Sequence, residues 1–319
     1  MGKIDGNAQV ALPQTEASYA NVDITDDFMF AYVMQRPDLC IELLEYLFPG
    51  HKIQRVDYLA ADEGSDITVV VENGVAKTYP VAQKTLVVAF GKKGIRMDIY
   101  LDDGNIVYNI EMQATRTGHL PKRSRYYAGQ VDINQLNRGQ EYDQLKPTYI
   151  IFICKFDPFG KGLYQYTFSN KCDEVDGLEL GDESYKIFLN TAGTKECPDE
   201  KDSSGKIEGN SRISDGMKEL LRYMNNTKDY PVESAQYDLI KKIDAAVAHA
   251  KRDEEWRRAY MTYQANQREA ELRGEARGDE RRAKESALSM YNDGLTVEKI
   301  SKYVGYAVDV VKKWVGITV

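Results

Sequence analysis

The chain has 319 residues, a formal net charge of −8, and 42% hydrophobic and 29% charged residues. That is the make-up of a globular protein long enough to bury a sizeable core. The acidic balance excludes attraction to nucleic acid through the overall field, so any phosphate contact has to come from a local basic patch. Four cysteines without a CxxC pair and three histidines give no zinc-type spacing, and reduced thiols are expected. The polar stretch from Met1 to Gln14 has no apolar segment of signal-peptide type. No run of about 18 apolar residues occurs, so no membrane span is expected and the cytoplasm is the expected compartment.

Residues 1–23 read as a flexible leader. Ile24-Thr25-Asp26-Asp27 then precedes an apolar-periodic stretch over 28–48 that predicts helix. Thr25 or Asp26 suits the cap, Pro37 splits the stretch in two, and Pro49-Gly50 ends it. A β-rich region follows: a strand over 53–60, a hairpin around Glu72-Asn73-Gly74, and a strand over 86–90. A further strand over 95–101 runs into the turn Asp102-Asp103-Gly104-Asn105, and 106–113 returns antiparallel to it. Next come a helix over about 122–136, an all-apolar strand over 149–154 of the kind buried on both faces, and a strand over 162–168. Residues 171–216 are acidic and then Gly/Ser-rich and read mostly as loop, with one strand over 185–189; helix resumes over 214–225. Beyond Pro231 the pattern predicts one long helix over 231–285, with both charge signs interleaved from Arg268 to Arg282. Residues 286–319 read as a small unit in which two helices flank Gly305, like a helix-turn-helix. The order of elements predicts a mixed α/β core with an α-helical C-terminal tail.

The chemistry concentrates on Asp98 and Glu111. They lie on the two strands joined by the turn at Gly104, each flanked by apolar residues: Met97 and Ile99, Ile110 and Met112. A carboxylate in such a strand is costly to bury without a partner. A divalent cation such as Mg²⁺ is one, taking one or two carboxylates and leaving its other positions to water and phosphate. Gln113 is two residues past Glu111 and therefore on the same strand face, where its amide can be set against an attacking water or a scissile phosphate. The plainer reading pairs these acids with Arg96 or Lys92 in a structural ion pair.

The runs Arg96-Met97-Asp98-Ile99-Tyr100 and Asn109-Ile110-Glu111-Met112-Gln113 resemble the D…ExK motif of the PD-(D/E)XK nucleases. The likeness is greatest to the Rpn-type recombination-promoting nucleases, a branch also described as transposases, where glutamine is usual in the third position. Thr25-Asp26-Asp27-Phe28-Met29-Phe30, Arg125-Tyr126-Tyr127, Gly139-Gln140-Glu141-Tyr142 and Leu145-Lys146-Pro147 agree with that branch. The resemblance implies a restriction-endonuclease-like fold over residues 24–230, with its core over 24–170, and Mg²⁺-dependent DNA cleavage. Mn²⁺ and Ca²⁺ are the alternative ions. It implies Asp98 and Glu111 as metal ligands and Gln113 at the position where most of the superfamily has lysine, a charge replaced by a dipole. An acid on the first helix often completes such sites. Asp27 is the candidate and Asp26 the alternate, and both suit a plain helix cap equally.

The predicted helix near residue 122 supplies the local basic patch. Lys122, Arg123 and Arg125 are expected to hold phosphates, with Tyr126 and Tyr127 bonding phosphate or stacking on bases; packing is the alternative for both tyrosines. DNA is thus the expected partner, with self-association through the C-terminal helix. A rival reading is a nuclease fold, weak or inactive in catalysis, that serves in DNA binding or interaction, because Gln113 replaces a lysine.

Overall fold

The computed structural model describes residues 17–53, 55–59, 66–72, 75–76, 84–86, 95–196 and 213–317. Most of the expected leader, the hairpin turn at Asn73-Gly74, the strand residues 87–90, and Cys197 with the Gly/Ser-rich piece lie outside the described residues. The described residues fall into two compact units that part at Glu254.

The first unit opens with α1 (Ala17–Ala20), α2 (Asp27–Met34) and α3 (Pro37–Leu47). Asp26 caps α2, its carboxylate accepting from Met29 N at 3.0 Å. Pro37 begins α3, where its missing N–H costs nothing, so the apolar stretch divides there as its sequence predicts. Five strands follow: β1 (Arg55–Leu59), β2 (Asp66–Glu72), β3 (Val75–Ala76), β4 (Lys84–Leu86) and β5 (Ile95–Met97). Then come β6 (Ile99–Asp102), β7 (Val107–Gln113), α4 (Leu120–Gln135), β8 (Thr148–Cys154), β9 (Gln165–Phe168), β10 (Ser184–Asn190) and α5 (Asp215–Asn225).

Eight of the strands form one sheet in the order β3-β2-β1-β6-β7-β8-β10-β9, while β4 and β5 pair separately. β7 and β10 run parallel to β8; the other pairs are antiparallel. β8, with its apolar run over 149–154, is thus central, in keeping with its run of buried residues. α4 makes the crossover between parallel β7 and β8 and packs on β8. Its Leu120, Tyr127, Ala128 and Val131 join Ile150, Phe152 and Phe188 in one apolar cluster. Phe48, at the end of α3, packs its ring against Tyr108 and Tyr149.

The helix expected unbroken over 231–285 is two helices, α6 (Asp238–Arg252) and α7 (Glu254–Asn292), with extended backbone at Asp253 between them. α6 has a continuous buried face, Leu239, Ile240, Ile243, Val247 and Ala250, and packs on α2 and α3. It therefore belongs to the first unit, which runs past the expected boundary at 230. α7 is mostly polar and is laced with ion pairs such as Glu269–Arg273 and Asp279–Arg282. The second unit continues with α8 (Val297–Val304) and α9 (Val308–Trp314), joined at Gly305, whose φ of 78° ends α8 in the left-handed region. Ala287, Val297, Ile300 and Val311 form its core.

Candidate active site

The strand expected over 95–101 bends at Asp98. β5 pairs with β4 before the bend, and β6 pairs with β7 after it, from Ile99↔Ile110 to Asp102↔Val107. At the bend, side chains take over the ladder. Asp98 N donates to Glu111 Oε1 at 3.2 Å, and Met112 N donates to Asp98 Oδ2 at 2.9 Å. The fold thus sets the two acids side by side.

Asn109, Glu111 and Gln113 share the face of β7 that α4 covers. Glu111 is only 1% exposed. Its Oε1 also accepts from Asn109 Nδ2 at 3.0 Å, and its Oε2 accepts from Arg123 Nη2 at 2.8 Å. Burial, and then the charge of Asp98, hold the Glu111 carboxyl well above its ordinary range; Arg123 and the hydrogen bonds pull it back. Two carboxyl groups set side by side offer an all-oxygen donor pair, which is what a hard divalent cation suits. Among the described residues no three Asp, Glu, His or Cys side chains group to hold an ion.

Gln113 differs from its expected role. Its Nε2 donates to Thr115 O at 2.7 Å and its Oε1 accepts from Arg123 Nη1 at 2.8 Å, so its amide is turned to the protein rather than to a water or a phosphate. Asp27 begins α2, the helix against β7, and its Oδ1 accepts from Phe28 N at 2.8 Å. It does not join Asp98 and Glu111 in a metal-sized group. Asp26 is the cap.

On α4, Lys122, Arg125 and Tyr126 are exposed, while Arg123 turns inward to the acids. Tyr127 corrects the expected phosphate or base contact. It is 6% exposed, packs its ring against Phe152, and its hydroxyl accepts from Arg123 Nε at 2.9 Å. Burial, and then the Glu111 charge, push its hydroxyl up to about 12. The expected pairing of the acids with Lys92 or the side chain of Arg96 lies outside the described residues, and the cation found on Glu111 is Arg123. Sequence reasoning missed Asn109, though the two-residue period that links Glu111 to Gln113 also reaches back to it.

The family model of the PD-(D/E)XK nuclease family transposases matches residues 86–272, more than half of the chain. The chain belongs to that family. The match takes in Asp98, Glu111, Gln113 and all of α4, and starts after Asp27. The mixed sheet with flanking helices is accordingly the restriction-endonuclease-like α/β fold of a PD-(D/E)XK nuclease, with C-terminal helices added. Comparison with curated proteins and with solved structures gave no match.

Proposed function

We propose that this PD-(D/E)XK family member is a divalent-metal-dependent DNA endonuclease acting in the cytoplasm, with Mg²⁺ as the ion and DNA recombination or transposition as its setting. The observation that carries the reading is the pairing of Asp98 and Glu111 through each other's strand, next to a basic helix. Asp98 and Glu111 would hold the ion. A divalent cation supplies Lewis acidity there, polarising a phosphoryl oxygen and acidifying water. The chain's own residues do the rest. Asn109 and the Asp98 N–H orient the Glu111 carboxylate, and burial excludes competing solvent from it. Lys122 and Arg125, exposed on α4, hold the flanking phosphates and set the register of the duplex. α7 is proposed to mediate self-association, a matter for sedimentation of the full chain.

The test is nicking of supercoiled plasmid with Mg²⁺ and with chelator, beside Asp98→Asn and Glu111→Gln. Metal-dependent nicking that disappears in both variants supports the reading; equal nicking by parent and variants sinks the site. The contact of Arg123 with Glu111 Oε2 favours a second reading, a nuclease fold kept for DNA binding alone. It requires duplex binding indifferent to metal and no cleavage with Mg²⁺, Mn²⁺ or Ca²⁺.

A further inference from the structure

We infer that Arg123 brings to the scissile phosphate the positive charge that the motif's lysine would otherwise supply, and that Gln113 is its positioning residue. The inference rests on the nuclease reading above and goes beyond it in assigning the cation. Three acceptors fix the guanidinium: Glu111 Oε2 at Nη2, Gln113 Oε1 at Nη1, and the Tyr127 hydroxyl at Nε. Its carbon lies 5.0 Å from the Tyr127 ring centroid and 5.5 Å from that of Phe152, so two aromatic rings also hold it. Guanidinium has five N–H groups in a rigid fork. The bonds named use three of them, leaving one N–H on each terminal nitrogen. The side chain is 37% exposed, so solvent or a phosphate reaches it. Those two N–H groups, beside a carboxyl pair, are suited to charge-assisted contact with a phosphate.

The residue type at 113 fits this arrangement. The Gln113 amide is oriented by Nε2 donating to Thr115 O, which turns Oε1 toward Arg123. An ammonium at that position would set a like charge against Nη1, where the glutamine oxygen accepts a hydrogen bond. Glutamine on β7 and arginine on α4 therefore complement each other: the charge has moved from strand to helix while staying next to Glu111.

The test compares the parent with Arg123→Gln, Arg123→Lys, Gln113→Lys and the swap Gln113→Lys/Arg123→Gln. Plasmid nicking with Mg²⁺ is read beside the salt dependence of binding to a short DNA duplex in Ca²⁺, and melting confirms that each variant folds. Arg123→Gln is expected to lose about 100-fold in cleavage and about one unit of salt slope. Arg123→Lys should keep the slope and lose roughly tenfold in cleavage, since the fork is gone. Gln113→Lys alone is expected to be impaired, yet the same change should recover at least roughly tenfold of the cleavage that Arg123→Gln lost. A merely structural role for Gln113 gives no such reversal of sign. The inference is overturned if Arg123→Gln keeps both the parent's rate and its slope, or if the swap is no better than Arg123→Gln. If Arg123→Gln fails to fold, the swap, which keeps one cation beside Glu111, decides against Gln113→Lys: a swap slower than Gln113→Lys overturns the inference. If the parent itself never cleaves, the nuclease reading fails on its own. The slope then decides for Arg123: a drop in Arg123→Gln supports a phosphate contact, and an unchanged slope overturns it.

Discussion

The backbone N–H of Asp98 donates to Glu111 Oε1 at 3.2 Å, at the step where the β6–β7 ladder would otherwise continue. Met112 N returns the favour to Asp98 Oδ2 at 2.9 Å. Each acid is thus anchored to the opposite strand, and the bend at Asp98 is held by the residues proposed to bind the ion. Asp98→Asn keeps an oxygen for Met112 N and is expected to fold with a loss of under about 1 kcal/mol. Asp98→Ala leaves that N–H without its acceptor and should cost about 1–3 kcal/mol. Urea unfolding in chelator separates the two. In excess Mg²⁺ the parent should gain about 2.7 kcal/mol at 100 times the dissociation constant, and neither variant should. Equal gains in all three would remove Asp98 from the metal site.

Glu111 gives a pH-dependent expectation. Burial and the neighbouring Asp98 raise its carboxyl above the ordinary 4.5. In the window between 4.5 and the raised folded value, the folded state keeps a proton that the unfolded chain has released. The stabilisation from this group is therefore complete below 4.5 and is lost as pH rises through the folded value. Glu111→Gln has no such proton to lose. In chelator, its stability relative to the parent should be highest near neutral pH and fall as pH falls through that window. Paired denaturant titrations across this range measure the difference directly. A variant whose stability relative to the parent rises on acidification has the opposite sign and refutes a raised Glu111 carboxyl.

Neighbouring tyrosines on α4 should part company. Tyr127 is core, so Tyr127→Ala is expected to cost about 3–5 kcal/mol. Tyr126 is exposed, and Tyr126→Ala should stay within roughly 0.5 kcal/mol of the parent while weakening binding of single-stranded DNA if its ring stacks on a base. Melting and fluorescence anisotropy give both readouts. Destabilisation by Tyr126→Ala as large as that by Tyr127→Ala would contradict the burial of the helix.

Much of this architecture was legible because local physics and tertiary context agree. Pro37 divides the first helices where proline must, residues 149–154 of β8 are apolar because the strand is central and α4 covers one of its faces, and the antiparallel pairing of Asp98's strand with Glu111's follows from the turn at Gly104. Three features were not legible. Alternation does not reveal that the strand breaks at Asp98, because the cause is a pair of side-chain-to-backbone bonds from across the sheet. The interruption at Asp253 follows a helix, α6, that packs on α2 and α3, contacts far away in sequence that helical periodicity does not show. The basic run on α4 announced charge, but which of its members turns inward is set by the crossover that lays α4 over β8; that geometry sends Arg123 to the acids and leaves Lys122 and Arg125 outside.

Asn109 offers the sharpest check on whether this face of β7 meets an ion. It is wholly buried, its Nδ2 donates to Glu111 Oε1 and Ile99 O, and its Oδ1 has no hydrogen-bond partner among the described residues. Asn109→Asp removes a donor from Glu111 and adds a third carboxylate to the buried cluster. In chelator this should cost about 3 kcal/mol or more, since like charges are brought together out of water. A divalent cation reverses the sign of that interaction, so excess Mg²⁺ or Ca²⁺ should return a larger share of stability to the variant than it adds to the parent. Melting with chelator and with each ion reads this without any need for cleavage. Destabilisation that no divalent ion relieves would mean that the Asn109–Glu111 row faces protein alone, and the ion would have to be sought on the Asp98 side of the bend.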